Sequence, residues 1–238
     1  MGSWEQIWDA RHRAAEGLQG WVPSEVRPST RAFATYALTG RRGLSVTPAI
    51  DAGLGEEADH GRVEAFDDAE VAALALSGPG AGDQLKTLSP GFEALPLWLD
   101  LPAVAPAQVY EARSLGADAL SLWPALCDSA TLREISRAAR ATHLEPVPVV
   151  WDDAGLEKAL VLEPRVIALR GAPPGEAQDP ARAGALVDAL PPRQGALLCC
   201  EALEGAARWA GRVDGLIVGA DLLPDDDALA ALIEDLGG

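Results

Sequence analysis

From residue 44 onward the chain alternates short, unbroken apolar runs with longer amphipathic ones. The apolar runs are LSVTPAI (44–50), VAALALS (71–77), LPLWLDL (95–101), DALSLWP (118–124), LEPVPVV (144–150), RVIALR (165–170), ALLCCE (196–201) and DGLIVGA (214–220). Neighbouring residues of a strand face opposite sides, so a run that is apolar throughout predicts a strand buried on both faces. Helical patterns lie between them: PAQVYEARSLG (106–116), SATLREISRAARATH (129–143) and PARAGALVDAL (180–190). The last, PDDDALAALIEDL (224–236), opens on aspartates suited to a helix N-terminus and stops at Gly237. Eight strands alternating with helices predict an α/β fold, the (β/α)8 or TIM barrel. Periodicity alone does not say whether the sheet closes, and a doubly wound open sheet is the alternative.

Two stretches break the rhythm. Residues 1–43 precede the first strand and hold two helix-like pieces, SWEQIWDARHRAAEGL and STRAFATYAL. In the first, Trp4, Ile7, Trp8 and Ala15 recur at helical spacing, which predicts an N-terminal helical extension packed against the barrel. The other, GLGEEADHGRVEAFDD (53–68), is polar and Gly-rich where the first barrel helix belongs, so that helix is expected to be short or displaced. No linker divides the chain. Residues 1–238 are expected to form one barrel domain, with 1–43 as the extension and 44–238 as the eight-stranded barrel, a length that suits this fold.

Composition narrows the function classes. Hydrophobic residues make up 48% of the chain and seven residues are Trp, enough for a sizeable core and against disorder. No apolar run approaches the ~18 residues of a membrane span. The segment MGSWEQIWDARHR carries charge where a signal peptide is apolar, so a cytoplasmic protein is expected. Nineteen basic against thirty-six acidic residues give a net charge of −17. A field of that sign repels phosphate backbones and anionic lipid, so neither nucleic acid nor membrane is expected as a partner. The only lysines are Lys86 and Lys158. Cys127, Cys199 and Cys200 show no CxxC or Cys/His spacing and read as reduced thiols. No metal or cofactor is implied.

PAQVYEARSLGADALS (106–121) resembles a segment of indole-3-glycerol phosphate synthase, in which a Gln-x-Tyr-Glu-Ala-Arg helix and a Gly-Ala-Asp-Ala turn join the third and fourth strands. RAFATYAL (31–38) is similar to the Arg-x-Phe-x-x-Ala-Leu piece of that family's N-terminal extension. Leu156 to Leu160, after WDD, resembles the start of its fifth helix, and VDGLIVGADLL (213–223) its eighth strand and phosphate loop. The resemblance spans nearly the whole chain and is specific in these patches. It implies a (β/α)8 barrel. As family activity it implies a carbon–carbon lyase of tryptophan biosynthesis, closing an indole ring from an anilino-deoxyribulose phosphate with loss of carbon dioxide and water.

The family's functional positions can be followed onto this chain. Asp100 stands where the resemblance places the third-strand general-acid lysine, and Leu99, Asp100, Leu101 and Pro102 replace an Arg-Lys-Asp-Phe run. Val149 takes the place of the fifth-strand glutamate, and Thr47, Pro48 and Ala49 that of the first-strand Glu and Lys. Arg170 sits near the sixth-strand asparagine, with Gly171 and Ala172 following where Asn and Arg would be. Glu201 keeps the seventh-strand glutamate, but Ala202 and Leu203 replace its Ser and Gly. Gly219 keeps a phosphate-loop position, with Asp221 just beyond it. Losing a positioned general acid typically costs about 10²–10⁴ in rate, and Asp puts an anion where a proton donor and positive charge were needed.

Three readings follow. In the first, the chain is a catalytically degenerate homologue, a pseudoenzyme with a non-catalytic binding or interaction role. In the second, it is a repurposed enzyme in which Asp100, Arg170 and Glu201 act on a small non-phosphorylated substrate; a filled barrel mouth would count against this. In the third, it is a genuine indole-3-glycerol phosphate synthase with a rearranged site. A small polar or aromatic ligand at the barrel mouth is the expected partner. The polar rim is expected to comprise Asp51, Asp100, Trp151, Asp152, Arg170, Glu201 and Asp221. Trp98, Trp123 and Trp151 are expected to fill a rim vacated by smaller polar residues rather than to line a pocket. Of Cys199 and Cys200, adjacent on one strand, one should face the barrel interior and the other the helix layer. GPGAG (78–82) reads as a loop, and the aspartates at 225–227 as a helix cap.

Overall fold

A computed structural model describes residues 3–21, 26–39, 43–52, 60–200 and 202–237. Eight parallel strands close into a barrel in sequence order. They are β1 (Ser45–Asp51), β2 (Leu74–Ser77), β3 (Leu97–Pro102), β4 (Ala119–Leu122), β5 (Glu145–Val150), β6 (Val166–Leu169), β7 (Gly195–Cys200) and β8 (Gly215–Gly219). Each falls within the apolar run that predicts it, extended by one residue in β1, β3 and β7. The ring closes where β1 pairs with β8, from Ser45↔Gly215 to Ala49↔Gly219. The open-sheet alternative is excluded.

Two helices precede the barrel, α1 (Trp4–Gly17) and α2 (Phe33–Leu38). Those that wrap it are α3 (His60–Asp68), α4 (Ala81–Leu88), α5 (Ala107–Leu115), α6 (Ser129–Ala141), α7 (Asp153–Leu160), α8 (Pro180–Asp188) and α9 (Asp226–Gly237). The described part of α3, nine residues, is no shorter than α4 or α7, and residues 53–59 of that connection lie outside the described residues. Among the described residues between β7 and β8, a 3₁₀ turn, Ala206–Trp209, stands where a helix would be. Aspartates start three of the wrapping helices. Asp128, Asp152 and Asp179 each accept backbone N–H groups of the first turn, meeting donors that the helix itself cannot. Asp225 accepts from Ala228 N at 2.9 Å, the cap expected of that acidic run.

The core has two layers. The outer one joins strand residues such as Leu76, Leu99, Leu120 and Leu198 to the helices; the inner one fills the barrel. Register explains the inner layer. Ala49, Ala75, Trp98 and Ala119 stand side by side on four adjacent strands, so three small residues make room for one indole at the centre. Trp98 is fully buried and meets Phe33 of α2 edge-on at 5.7 Å, which stoppers the N-terminal end.

That end is also held by charge. Asp118, just before β4, has a fully buried side chain. Its carboxylate pairs with Arg31 at 2.6 Å and Arg113 at 3.3 Å, and accepts from Ser29 Oγ at 2.6 Å and Leu97 N at 2.9 Å. Ser29 and Arg31 belong to the extension, so this one carboxylate ties it to β3, β4 and α5. α1 lies at the opposite end. Arg11 Nε donates to Pro102 O at the close of β3 (3.0 Å), and Gln108 of α5 donates from Nε2 to Arg11 O (2.8 Å).

Candidate functional site

In this fold, side chains at the C-terminal ends of the strands converge on one mouth. Here β3 is irregular. It pairs with β4 in step at Trp98↔Ala119 and Leu99↔Leu120, then slips so that Pro102 faces Ser121. A bulge re-aims the residues it contains, and Asp100 is one of them. Asp100 is buried, and both carboxylate oxygens are engaged: Oδ2 accepts from Arg170 Nη2 at 3.0 Å, Oδ1 from Ser121 Oγ at 2.6 Å. Ser121 Oγ in turn accepts from Trp98 Nε1 at 3.0 Å. The chain of donors therefore runs from the central indole through a hydroxyl to the carboxylate, with a guanidinium on its other side.

The structure thus brings together two of the three predicted catalytic residues, Asp100 and Arg170. Glu201 lies outside the described residues. Gly219 ends β8, and the Asp221 carboxylate lies where a Cβ on Gly219 would stand, so an anion approaching that glycine meets like charge. The backbone N–H groups of Gly171 and Ala172 are directed to Gln178 Oε1, at 2.7 and 3.3 Å. Lys158 Nζ donates to Pro124 O and Cys127 O, fixing α7 to the loop after β4, and Lys86 is exposed on α4. Asp152 serves as the α7 cap, accepting from Gly155 N at 2.6 Å.

Aromatic rings occupy the mouth. Trp123, following β4, is 1% exposed; Trp151, following β5, meets it edge-on at 5.6 Å. Over Trp123 lies Trp8 of α1, its ring nearly parallel at 6.2 Å and 12°. Two cavities are lined by described residues. One, of about 670 Å³, opens at the N-terminal end beside Tyr36, Leu44, Glu70 and Leu95. Another, of about 120 Å³, sits outside the ends of β6 and β7 beside Gln178, Cys199, Cys200 and Arg208. Neither is lined by Asp100 or Arg170.

Cys199 packs with the inner layer and Cys200 with the outer, as strand alternation requires. Burial pushes the Cys200 thiol up to about 11 against the opposing pull of Arg208, and burial pushes Cys127 up to about 11 as well. Both remain protonated near neutral pH, and the thiolate is the nucleophile. Among the described residues, no group of three or more His, Cys, Asp and Glu could hold a metal ion. No helix among them is long and apolar enough to cross a membrane.

Sequence reasoning missed three parts of this site: Ser121, the β3 bulge, and α1 over the mouth. The spacing of Trp4, Ile7 and Trp8 signals a buried helix face but not the end of the barrel it meets.

Comparison with solved structures fits the architecture. A 4-hydroxy-2-oxoglutarate/2-dehydro-3-deoxyphosphogluconate aldolase aligns with a TM-score of 0.62 at 19% identity, over 86% of this chain and 96% of that one. A 2-keto-3-deoxy-6-phospho-gluconate aldolase from Zymomonas mobilis gives 0.59 at 17%, over 87% and 97%. A mutant tryptophan synthase alpha-subunit from Pyrococcus furiosus gives 0.58 at 15%, over 82% and 97%. No protein-family model matches the chain. Similarity at this level of identity carries the fold and leaves the activity open, and on that footing the chain is a TIM barrel.

Proposed function

We propose that this protein is a divergent, catalytically degenerate barrel of the indole-3-glycerol phosphate synthase type, with a binding or interaction role in place of catalysis. One observation carries the reading. At the position matched to the general-acid lysine stands Asp100, tied by both oxygens to Arg170 and Ser121 beneath a layer of tryptophans. A group so engaged serves packing and charge balance, because buried charges need partners whatever their role. We place the role in the cytoplasm, in or near aromatic amino-acid metabolism, where the resemblance points.

The retained residues support the same reading. Of the patches that carry the resemblance, Arg31, Arg113 and Asp118 form the network at the N-terminal end. Gln108 is fully buried, accepting from Val104 N at 2.8 Å while it donates to Arg11 O. These residues build the scaffold. Of the positions matched to proton transfer and phosphate binding, Glu201 and Gly219 keep the family's residue, while Asp100, Val149 and Ala172 replace the lysine, glutamate and arginine.

The alternative enzyme, with Asp100, Arg170 and Glu201 on a small unphosphorylated substrate, draws on the Asp100–Arg170 pairing. It needs room at the mouth, and Trp8, Trp123 and Trp151 take up that room. A direct assay decides. The purified protein at high concentration is mixed with the anilino-deoxyribulose phosphate, and indole fluorescence is followed. No turnover and no rise in melting temperature are expected. Clear turnover would refute the proposal and restore the synthase reading.

A further inference from the structure

The cavity at the N-terminal end of the barrel is an open groove of about 670 Å³. Its apolar lining comes from Leu44, Val46, Val71, Leu95 and Pro96, at or just before the starts of β1, β2 and β3, and from Ile233 of α9. Tyr36 of α2 also lines it and is 48% exposed. The volume falls within the roughly 300–1,000 Å³ of small-molecule sites.

The charge beside this apolar surface is negative. Asp67 lines the groove from the last turn of α3, with Asp68 next to it, and no basic residue occupies that turn. A helix C-terminus favours cations and disfavours carboxylates. Burial, and then the neighbouring Asp68, push the Asp67 carboxyl above its ordinary value. Among the described residues neither aspartate forms an ion pair, and no Lys, Arg or His lines the groove. A cation here meets a helix end and two uncompensated carboxylates next to apolar surface. An anion is repelled, and so is a second copy of a chain carrying −17.

We infer that this groove binds a small amine, its apolar body against Val71 and Leu95 and its protonated amino group at Asp67. The groove lies at the opposite end of the barrel from Asp100 and Arg170, so the inference goes beyond the degenerate reading and is tested apart from it.

The test uses the full chain with 4-phenylbutylamine and 4-phenylbutan-1-ol, which match in shape and differ in charge at pH 7. Backbone amide shifts locate each compound, and their titration gives its affinity. The amine should shift the amides of Ala69, Val71, Ala72 and Leu95 and leave those of Trp123 and Trp151 unmoved. At low salt it should bind about fivefold more tightly than the alcohol, the gain from a partly exposed ion pair and a helix end. Salt at about 0.5 M should narrow that difference to less than about twofold. Asp67→Asn, its folding verified by circular dichroism, should abolish the preference and leave the alcohol's affinity unchanged. No binding, equal affinity for the two compounds, shifts at Trp123 and Trp151 in place of the groove, or a preference that survives Asp67→Asn overturns the inference. So does amine binding that appears only after Arg41→Ala and Arg42→Ala, since the chain then supplies its own cation. Should Asp67→Asn not fold, the shifts and the amine-to-alcohol ratio in wild type decide. Turnover of the anilino-deoxyribulose phosphate would refute the degenerate reading and leave these titrations untouched.

Discussion

Replacing Asp118 by Ala should cost more stability than any surface change in this chain. The substitution removes one carboxylate and strands four donors: two guanidinium groups, the Ser29 hydroxyl and the Leu97 backbone N–H. Breaking a buried ion pair from one side typically costs about 3–5 kcal/mol. Two features pull in opposite directions. Arg31 keeps bonds to Phe92 O at 2.6 Å and Gly116 O at 2.8 Å, and Arg113 keeps Ala117 O and Arg27 O, so neither cation is left bare. Against that, a buried backbone donor without a partner adds about 1–3 kcal/mol. A net loss of about 4 kcal/mol follows, a large share of the roughly 5–15 kcal/mol that holds a domain folded. At about 2–4 °C per kcal/mol for a chain of this size, the melting temperature should fall by about 8–16 °C. Urea unfolding followed by circular dichroism measures it. Because the network is buried, the loss should persist at high salt, where exposed pairs are screened. A loss under about 1 kcal/mol, or one that vanishes in salt, would refute the claim that this carboxylate anchors the extension.

Three further outcomes are expected. Asp100→Lys, which restores the family's residue type at the matched position, should give no indole-forming activity and should lower stability, because it sets a cation against Arg170; a large gain in turnover would contradict the degenerate reading. Trp98→Ala should cost about 3–5 kcal/mol, since the alanines around the central ring cannot collapse to fill its volume; denaturant titration reads this directly. Cys127 and Cys200 should react slowly with a thiol reagent at pH 8 and freely once unfolded. Their folded pKa values lie above the ordinary thiol value, so the unfolded chain ionises first, and stability should fall as pH rises from about 9 towards 11. Thiol titration and unfolding curves across that range check both statements.

The barrel was legible because its determinants are local. Each strand is a short run apolar at both parities, and each run reports its own burial without knowledge of its neighbours. Closure was not local: Ser45 and Gly215 are far apart in sequence, and only the resemblance pointed to the ring that their pairing completes. The candidate site was legible to the same limited degree. Asp100 and Arg170 could be placed at strand ends by counting, and they meet. Ser121 could not be, because it faces Asp100 only through a slip in register, and an apolar run gives no sign of a slip.

The tryptophans carry the argument furthest from sequence. A Trp after β4 and another after β5 read as filler of the rim rather than as pocket lining, but both uses bury the ring and a third partner is needed to distinguish them. That partner is Trp8, some 115 residues away in the chain, stacked on Trp123. With it, the three rings form one aromatic cluster. Yet the cluster is imperfect in one respect that packing does not require. The Trp123 N–H, deep in the mouth, lacks an acceptor among the described residues. A purely structural plug gains nothing from that omission, because an unsatisfied buried donor typically costs about 1–3 kcal/mol. The three rings therefore pack over one another at this end of the barrel at the cost of one unsatisfied donor, an arrangement that no strand-by-strand reading of the sequence contains.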